Sequence, residues 1–167
     1  MPTFREKLIY GTASQLSMAW ASLATDVNLL VGVESEVIDN ETDGLLDRIL
    51  GGEITVASSG LTANRAIEIW AVASYNGTDW PSPFDGTASA ETISLAANKI
   101  SFCKYIHQWS TSSTGSLTYR FSGVSLANAF GGVLPRKCVL FGTHSTGANI
   151  ASGTIHQQPV YRQIATV

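Results

Sequence analysis

Leu117, Tyr119 and Phe121 alternate with Thr118 and Arg120, the period of two that marks a strand with one wet face. A few residues on, "LANAF" (126–130) is long enough for about one helical turn, with Ser125 placed to cap it. Gly131 and Gly132 supply the left-handed exit that a helix end prefers, and Pro135 blocks any continuation before "KCVLFG" re-enters a sheet. This order constrains the chain more than any other feature, because it admits helix only as a short crossover between strands. Composition agrees: 15 glycines, abundant serine and threonine and only 14% charged residues favour strands joined by tight turns over long charged helices.

At 167 residues the chain is the size of one domain and can bury on the order of 70% of its unfolded surface, so it needs no disulfide or structural metal. Cys103 and Cys138 fall in strand-like runs without C-x-x-C spacing and read as small buried hydrophobes. A net charge of -3 gives no basic footprint for a phosphate backbone, so no nucleic-acid partner is expected. No run is long enough for a membrane span, and the apolar stretch near the start is interrupted by Gly11, Thr12, Ser14, Gln15 and Ser17, so neither a membrane partner nor an export signal is expected.

The expected architecture is all-β: a single antiparallel β-sandwich, roughly jelly-roll-like, with about eight strands and short helical turns over residues 14–167. Residues 1–13 read as an N-terminal arm, ordered only if something holds it. "LSMAWASLA" and "NLLVGVESEVID" suit strands better than helices. The segment 39–60 reads two ways. Leu45, Leu46, Ile49 and Leu50 have helical spacing with Asp43 as a cap, but Ile54 and Val56 alternate beyond Gly51 and Gly52, which favours one long strand with a glycine bulge. "RAIEIWAVASY" is apolar on both pleat faces, as a strand covered on each side must be. "KISFCKYIHQW" and "SLTYRF" look like a hairpin, and Pro159 places the last strand at an edge or a bulge.

Enzyme templates come back short. There is no G-x-S-x-G elbow, Walker loop, H-E-x-x-H or dinucleotide-binding glycine pattern. His107, His144 and His156 lie on three separate strands or strand ends, so no metal trio is expected. Glu34 and Glu36 share a face if Val33 to Val37 is extended, and Asp79 and Asp85 share a loop; solvated carboxylates are the simpler reading of both pairs. Asn40 and Asn76 begin glycosylation triplets but sit in turn signals where such residues belong anyway. Trp70 and Trp109 lie in apolar strands, whereas Trp80 and Phe84 stand in the long loop "NGTDWPSPFDGTASAE", where they either staple the loop down or meet another protein.

The order "NRAIEIWAVASYNGTDW", "LTYRFSGVSLANAFGGVLPRKCVLFGTHSTGANI" and "QPVY" resembles a family of small proteins encoded beside the major capsid protein in tailed bacteriophages. Phe130, Gly131, Gly132, Val133, Pro135, Arg136 and Lys137 match the end of its "F-x-V-x-x-x-F-G-G-V-x-P-K-K" crossover, with Phe121 and Val124 ahead of them at wider spacing. His144, Ser145, Thr146 and Gly147 take its "N-x-T-G" turn, with His144 in place of the usual Asn, Arg136 for a lysine and Cys138 for an aromatic. The resemblance implies a non-enzymatic capsid decoration, or cement, protein: a homotrimer on the outer surface of the expanded head, present in the host cytoplasm during assembly and bound to the major capsid protein. It implies no catalytic residue, cofactor or metal. Phe4, Arg5, Trp80, Phe84 and Asp85 are the expected contacts between proteins. The alternatives are a receptor- or glycan-binding module on a virion, for which Trp80 is the free stacking platform, and a tail or neck component.

Overall fold

A computed structural model describes residues 4–42, 44–57, 61–112 and 118–166. Strands take 52% of the described residues and helix 7%, in two antiparallel sheets that form a sandwich. One sheet runs β1 (Phe4–Tyr10), β11 (Ile150–Thr166), β5 (Leu45–Val56), β9 (Thr118–Ser125), with β2 (Ser14–Leu16) also paired to β11. The other runs β7 (Ala90–Thr92), β3 (Val31–Glu34), β10 (Lys137–His144), β6 (Ala66–Ala73), β8 (Cys103–Ser110), with β4 (Ile38–Asp39) also paired to β10. Eight of these strands have four residues or more, and the other three have two or three. The two helices are α1 (Ala96–Phe102) and α2 (Leu126–Ala129). Among the described residues no helix is long and apolar enough to cross a membrane.

The crossover folds as its residues dictate. The Ser125 side chain accepts the Asn128 N–H at 3.0 Å and caps α2. Gly131 and Gly132 leave the helix at φ +77° and +98°, and the chain passes from one sheet to the other. A Cβ at Gly132 would meet nothing within 4 Å, so the φ value alone sets the cost of a side chain there. Gly132→Val is expected to lower stability by about 1–3 kcal/mol, and an unaltered urea midpoint would show that this φ is not held.

The segment 45–56 is the long strand, with its bulge against β9 between Leu50 and Gly52; Asp43, the alternative helix cap, lies outside the described residues. β6 is central as expected. On one face Ile67, Ile69 and Ala71 join the core between the sheets; on the other Val72 joins a second cluster with Val139, Phe141, Phe84 and Ile93. That second cluster lies under α1 and the 74–89 loop, which contribute Phe102 and Phe84. Cys138 belongs to the first cluster and Cys103 to the second; both are free, and burial pushes both thiols up to about 12.

Five expectations are corrected. First, "LSMAWASLA" is mostly irregular backbone: after β2 only an isolated bridge from Met18 to Ser35 remains, and Trp20 turns inward to become one of the largest fully buried side chains. Second, residues 99–102, expected as strand, close α1; Lys99 is buried there, donating to the Glu68 carboxylate at 2.7 Å and the Leu29 carbonyl at 2.8 Å beside the Trp70 ring. Third, β8 and β9 are not a hairpin. They lie at the edges of different sheets, β8 on β6 and β9 on β5, and one link between them is Trp109 Nε1–H to the Arg120 carbonyl at 3.0 Å. Leu117 and part of the serine-rich turn lie outside the described residues. Fourth, of the edge or bulge expected at Pro159 the edge is corrected: β11 is an interior strand, and Pro159 falls in the gap between the β2 pairing, which ends at Gln157, and the β1 pairing, which begins at Val160. There the missing N–H costs no ladder bond to either strand, the carbonyl accepts the Gly11 N–H at 2.8 Å, and a bulge follows at Val160/Tyr161. Fifth, Glu34 and Glu36 do not share a strand face, because β3 ends at Glu34; Glu36 is exposed and accepts the Ser17 N–H at 3.0 Å.

Candidate functional site

The expected contact residues separate. Phe84 is buried, meeting Phe141 at 5.4 Å and Phe102 at 5.9 Å between ring centroids, both edge to face. The expectation of Phe84 as a contact between proteins is therefore corrected: its ring staples the 74–89 loop to the six-stranded sheet. Trp80 is half-buried against the same cluster, and a Cβ at Gly86 would touch its ring. This leaves only part of the ring as a stacking platform. Asp85 is exposed. Phe4 and Arg5 lie in β1, with backbones opposite Thr166 and Ala165; their side chains lie outside the described residues. Residues 4–10 of the expected arm are thus held by the end of the chain.

Sequence reasoning missed that the fold gathers Glu34, Asp85 and Glu91. β7 pairs with β3, which brings Glu91 opposite Gly32, and the loop returns so that the amides of Gly86 and Asp85 donate to the Glu34 carboxylate at 2.7 and 3.4 Å. Gly86 holds φ +86°, the left-handed geometry that glycine permits at this bend. One carboxylate oxygen from each of the three residues lies within 4.8 Å of the others. Burial pushes the Glu34 carboxyl up to about 7, overcoming the two amide bonds; the charges of Asp85 and Glu91 add to the rise. The two amide bonds tie the loop to Glu34, and burial lets its carboxyl carry a proton at mildly acidic pH.

The histidines stay apart. His107 on β8 stacks on Phe121 with ring centroids 5.2 Å apart, and His156 is exposed on β11. His144 is fully buried at the end of β10. Its Nε2 lies 3.0 Å from the Leu23 carbonyl, which can only accept, so Nε2 carries the hydrogen; Nδ1 lies 3.0 Å from Thr146 Oγ1. The Asp26 N–H donates to the His144 carbonyl at 2.8 Å and the Gly147 N–H to Thr25 Oγ1 at 3.0 Å, so the 144–147 turn is buckled to the 23–26 segment. Burial lowers the His144 pKa, opposed by the nearby carbonyls and Asp26. The His144 turn is a structural clasp.

One further surface feature is a short two-stranded ribbon. β5 follows β11 only as far as Leu45 opposite Tyr161, and one further bond joins the Arg162 N–H to the Gly44 carbonyl; beyond it β11 pairs with β1 alone. Ile164 on this ribbon is exposed, as are Leu8 and Tyr10 just before it, opposite Arg162 and Val160 where β5 still borders β11.

No protein-family model matches the chain, and no curated protein matches it. Among solved structures, one similar chain is that of the infectious bursal disease virus VP2 subviral particle, at 11% identity. The match covers 98% of this chain and 42% of that one, at a TM-score of 0.17, a likeness too low to carry an argument about fold or function.

Proposed function

We propose that this chain is a structural virion protein, a decoration or cement protein that binds the outside of the expanded head of a tailed bacteriophage and stabilises contacts between its capsomers. The observation that carries the reading is the set of exposed apolar side chains Leu8, Tyr10 and Ile164 on the paired strands β1 and β11. The resemblance in the 121–137 crossover and the 144–147 turn supplies the partner, the major capsid protein, and the homotrimeric state.

The physics of the role needs no bond made or broken. A packed genome pushes a shell outward, and a subunit with higher affinity for the expanded lattice stabilises that state by mass action. Several feet per oligomer multiply weak contacts through effective concentration, so each interface stays small. Low charge and many hydroxyls make such a surface easy to desolvate.

The test is cosedimentation of purified protein with expanded and unexpanded heads of a phage that carries this chain. Retention by expanded heads alone is expected, with antibody label on the outer surface of intact particles. Equal retention by both, retention by neither, or label confined to the tail or neck overturns the proposal.

A further inference from the structure

Residues 84–92 close over the end of β3 through a few bonds. The amides of Asp85 and Gly86 donate to the Glu34 carboxylate, and the Glu34 N–H donates to the Ser89 carbonyl at 2.7 Å. β7 then pairs with β3 over three residues only and is the outermost strand of the six-stranded sheet. Short edge strands and their loops open at lower free-energy cost than the central ladders they border, so this stretch can lift while the rest of the sandwich stays folded. Its apolar anchor is the Phe84 ring, set edge to face on Phe141 and Phe102.

The seal is electrically unbalanced. Glu34, fully buried, sits diagonally across the β3–β7 ladder from Glu91, and one carboxylate oxygen from each of these and Asp85 lies within 4.8 Å of the others. The charged groups that act on Glu34 are these two carboxylates, and among the described residues none of the three forms an ion pair. Its neighbour across the β3–β10 ladder is Phe141, and the side chains against the Gly86 bend are Val37 and Trp80, so the elements around it bring no positive charge. Asp85 accepts the Thr87 N–H and Glu91 the Ser89 hydroxyl, both at 2.8 Å. Three carboxylates this close, one of them shut off from water, cannot all ionise without cost, and opening the stretch to water removes that cost.

We propose that residues 84–92 form a flap that rising pH opens, lifting Phe84 off Phe141 and uncovering the apolar face of the six-stranded sheet beneath it. The flap is shut while Glu34 carries its proton; the open form gains as that proton is lost. Burial holds the Glu34 carboxyl at about 7 in the closed form, and water returns it to the ordinary 4.5 in the open form. Closure is therefore strongest below the ordinary value and weakens as pH rises toward 7, over which the opening equilibrium grows by up to about 300-fold. The flap is a property of the fold and does not rest on the capsid reading.

Native-state hydrogen exchange at about pH 5 and about pH 8, with protection corrected for the intrinsic base-catalysed rate, tests this. Wild-type protection at Gly86 and in β7 is expected to fall on the order of 70-fold between the two, and at the higher pH to lie well below that of β6 and β10. Glu34→Gln is expected to hold flap protection level across the range. Asp85→Asn combined with Glu91→Gln keeps the buried carboxyl and changes two side chains that are not buried, so it is expected to fold as the wild type does and to shrink the fall. The proposal is overturned by wild-type flap protection that is the same at both pH values, or by a fall that Glu34→Gln or the double variant leaves in full. Flap amides as protected as those of β6 and β10 at the higher pH also overturn it, since the stretch then opens only with the whole fold.

Discussion

Trp20→Ala is expected to destabilise the protein by about 3–5 kcal/mol, the largest effect of any single truncation here. Trp20 is contributed by a segment outside both sheets, yet it is fully buried between them. A Cβ at Gly142 of β10 would collide with the six-membered ring of Trp20, and a Cβ at Gly153 of β11 would collide with its Cβ and the near edge of its indole. One glycine from each sheet thus makes room for the indole, and removing the ring leaves a cavity that two β-ladders cannot close around. The indole N–H has no hydrogen-bond partner among the described residues, so Trp20→Phe, which deletes an unpaired donor along with the second ring, is expected to cost well under half as much. Urea unfolding of the two variants checks this; equal midpoints for Trp20→Ala and wild type would show that the ring does not hold the sheets together.

Glu34→Gln is expected to make the protein more stable at alkaline pH by up to about 3 kcal/mol and to leave it nearly unchanged in acid. The folded chain raises the Glu34 carboxyl from an ordinary 4.5 to about 7, so it binds the proton more tightly than the unfolded chain does. Stability is therefore full below the ordinary value and falls as pH rises through about 7, where the folded protein must carry a buried charge beside Asp85 and Glu91. Glutamine keeps an oxygen to accept the Gly86 N–H and never ionises. Denaturant midpoints at about pH 5 and about pH 8 check this. Parallel wild-type and Glu34→Gln lines across that range would show that the carboxyl titrates as an ordinary surface group.

The crossover was legible because each of its parts is local: a cap three residues from the amide it accepts, two glycines at positive φ, and a proline after them. Strand alternation in 118–125 and the two-sided apolar pattern of β6 were legible for the same reason. Helix α1 was not, because Leu95 offers no side-chain cap and the helix is held by Lys99 reaching Glu68 and Leu29 on other elements. The acidic group was invisible because Glu34, Asp85 and Glu91 are brought together by a strand pairing and a returning loop, and no spacing in the sequence encodes either.

The sequence by itself determined the 125–137 crossover, the 118–125 strand and the two-sided pattern of β6, since period-two alternation, caps, glycines and prolines act over a few residues and need no partner. The tertiary structure alone decided which strands pair, that β8 and β9 part to different sheets, that Trp20 fills the space between them, and that Phe84 turns inward while Leu8, Tyr10 and Ile164 stay bare. Strand partnership and burial are set by contacts between residues far apart in the chain, and a local pattern carries no record of the surface it will meet.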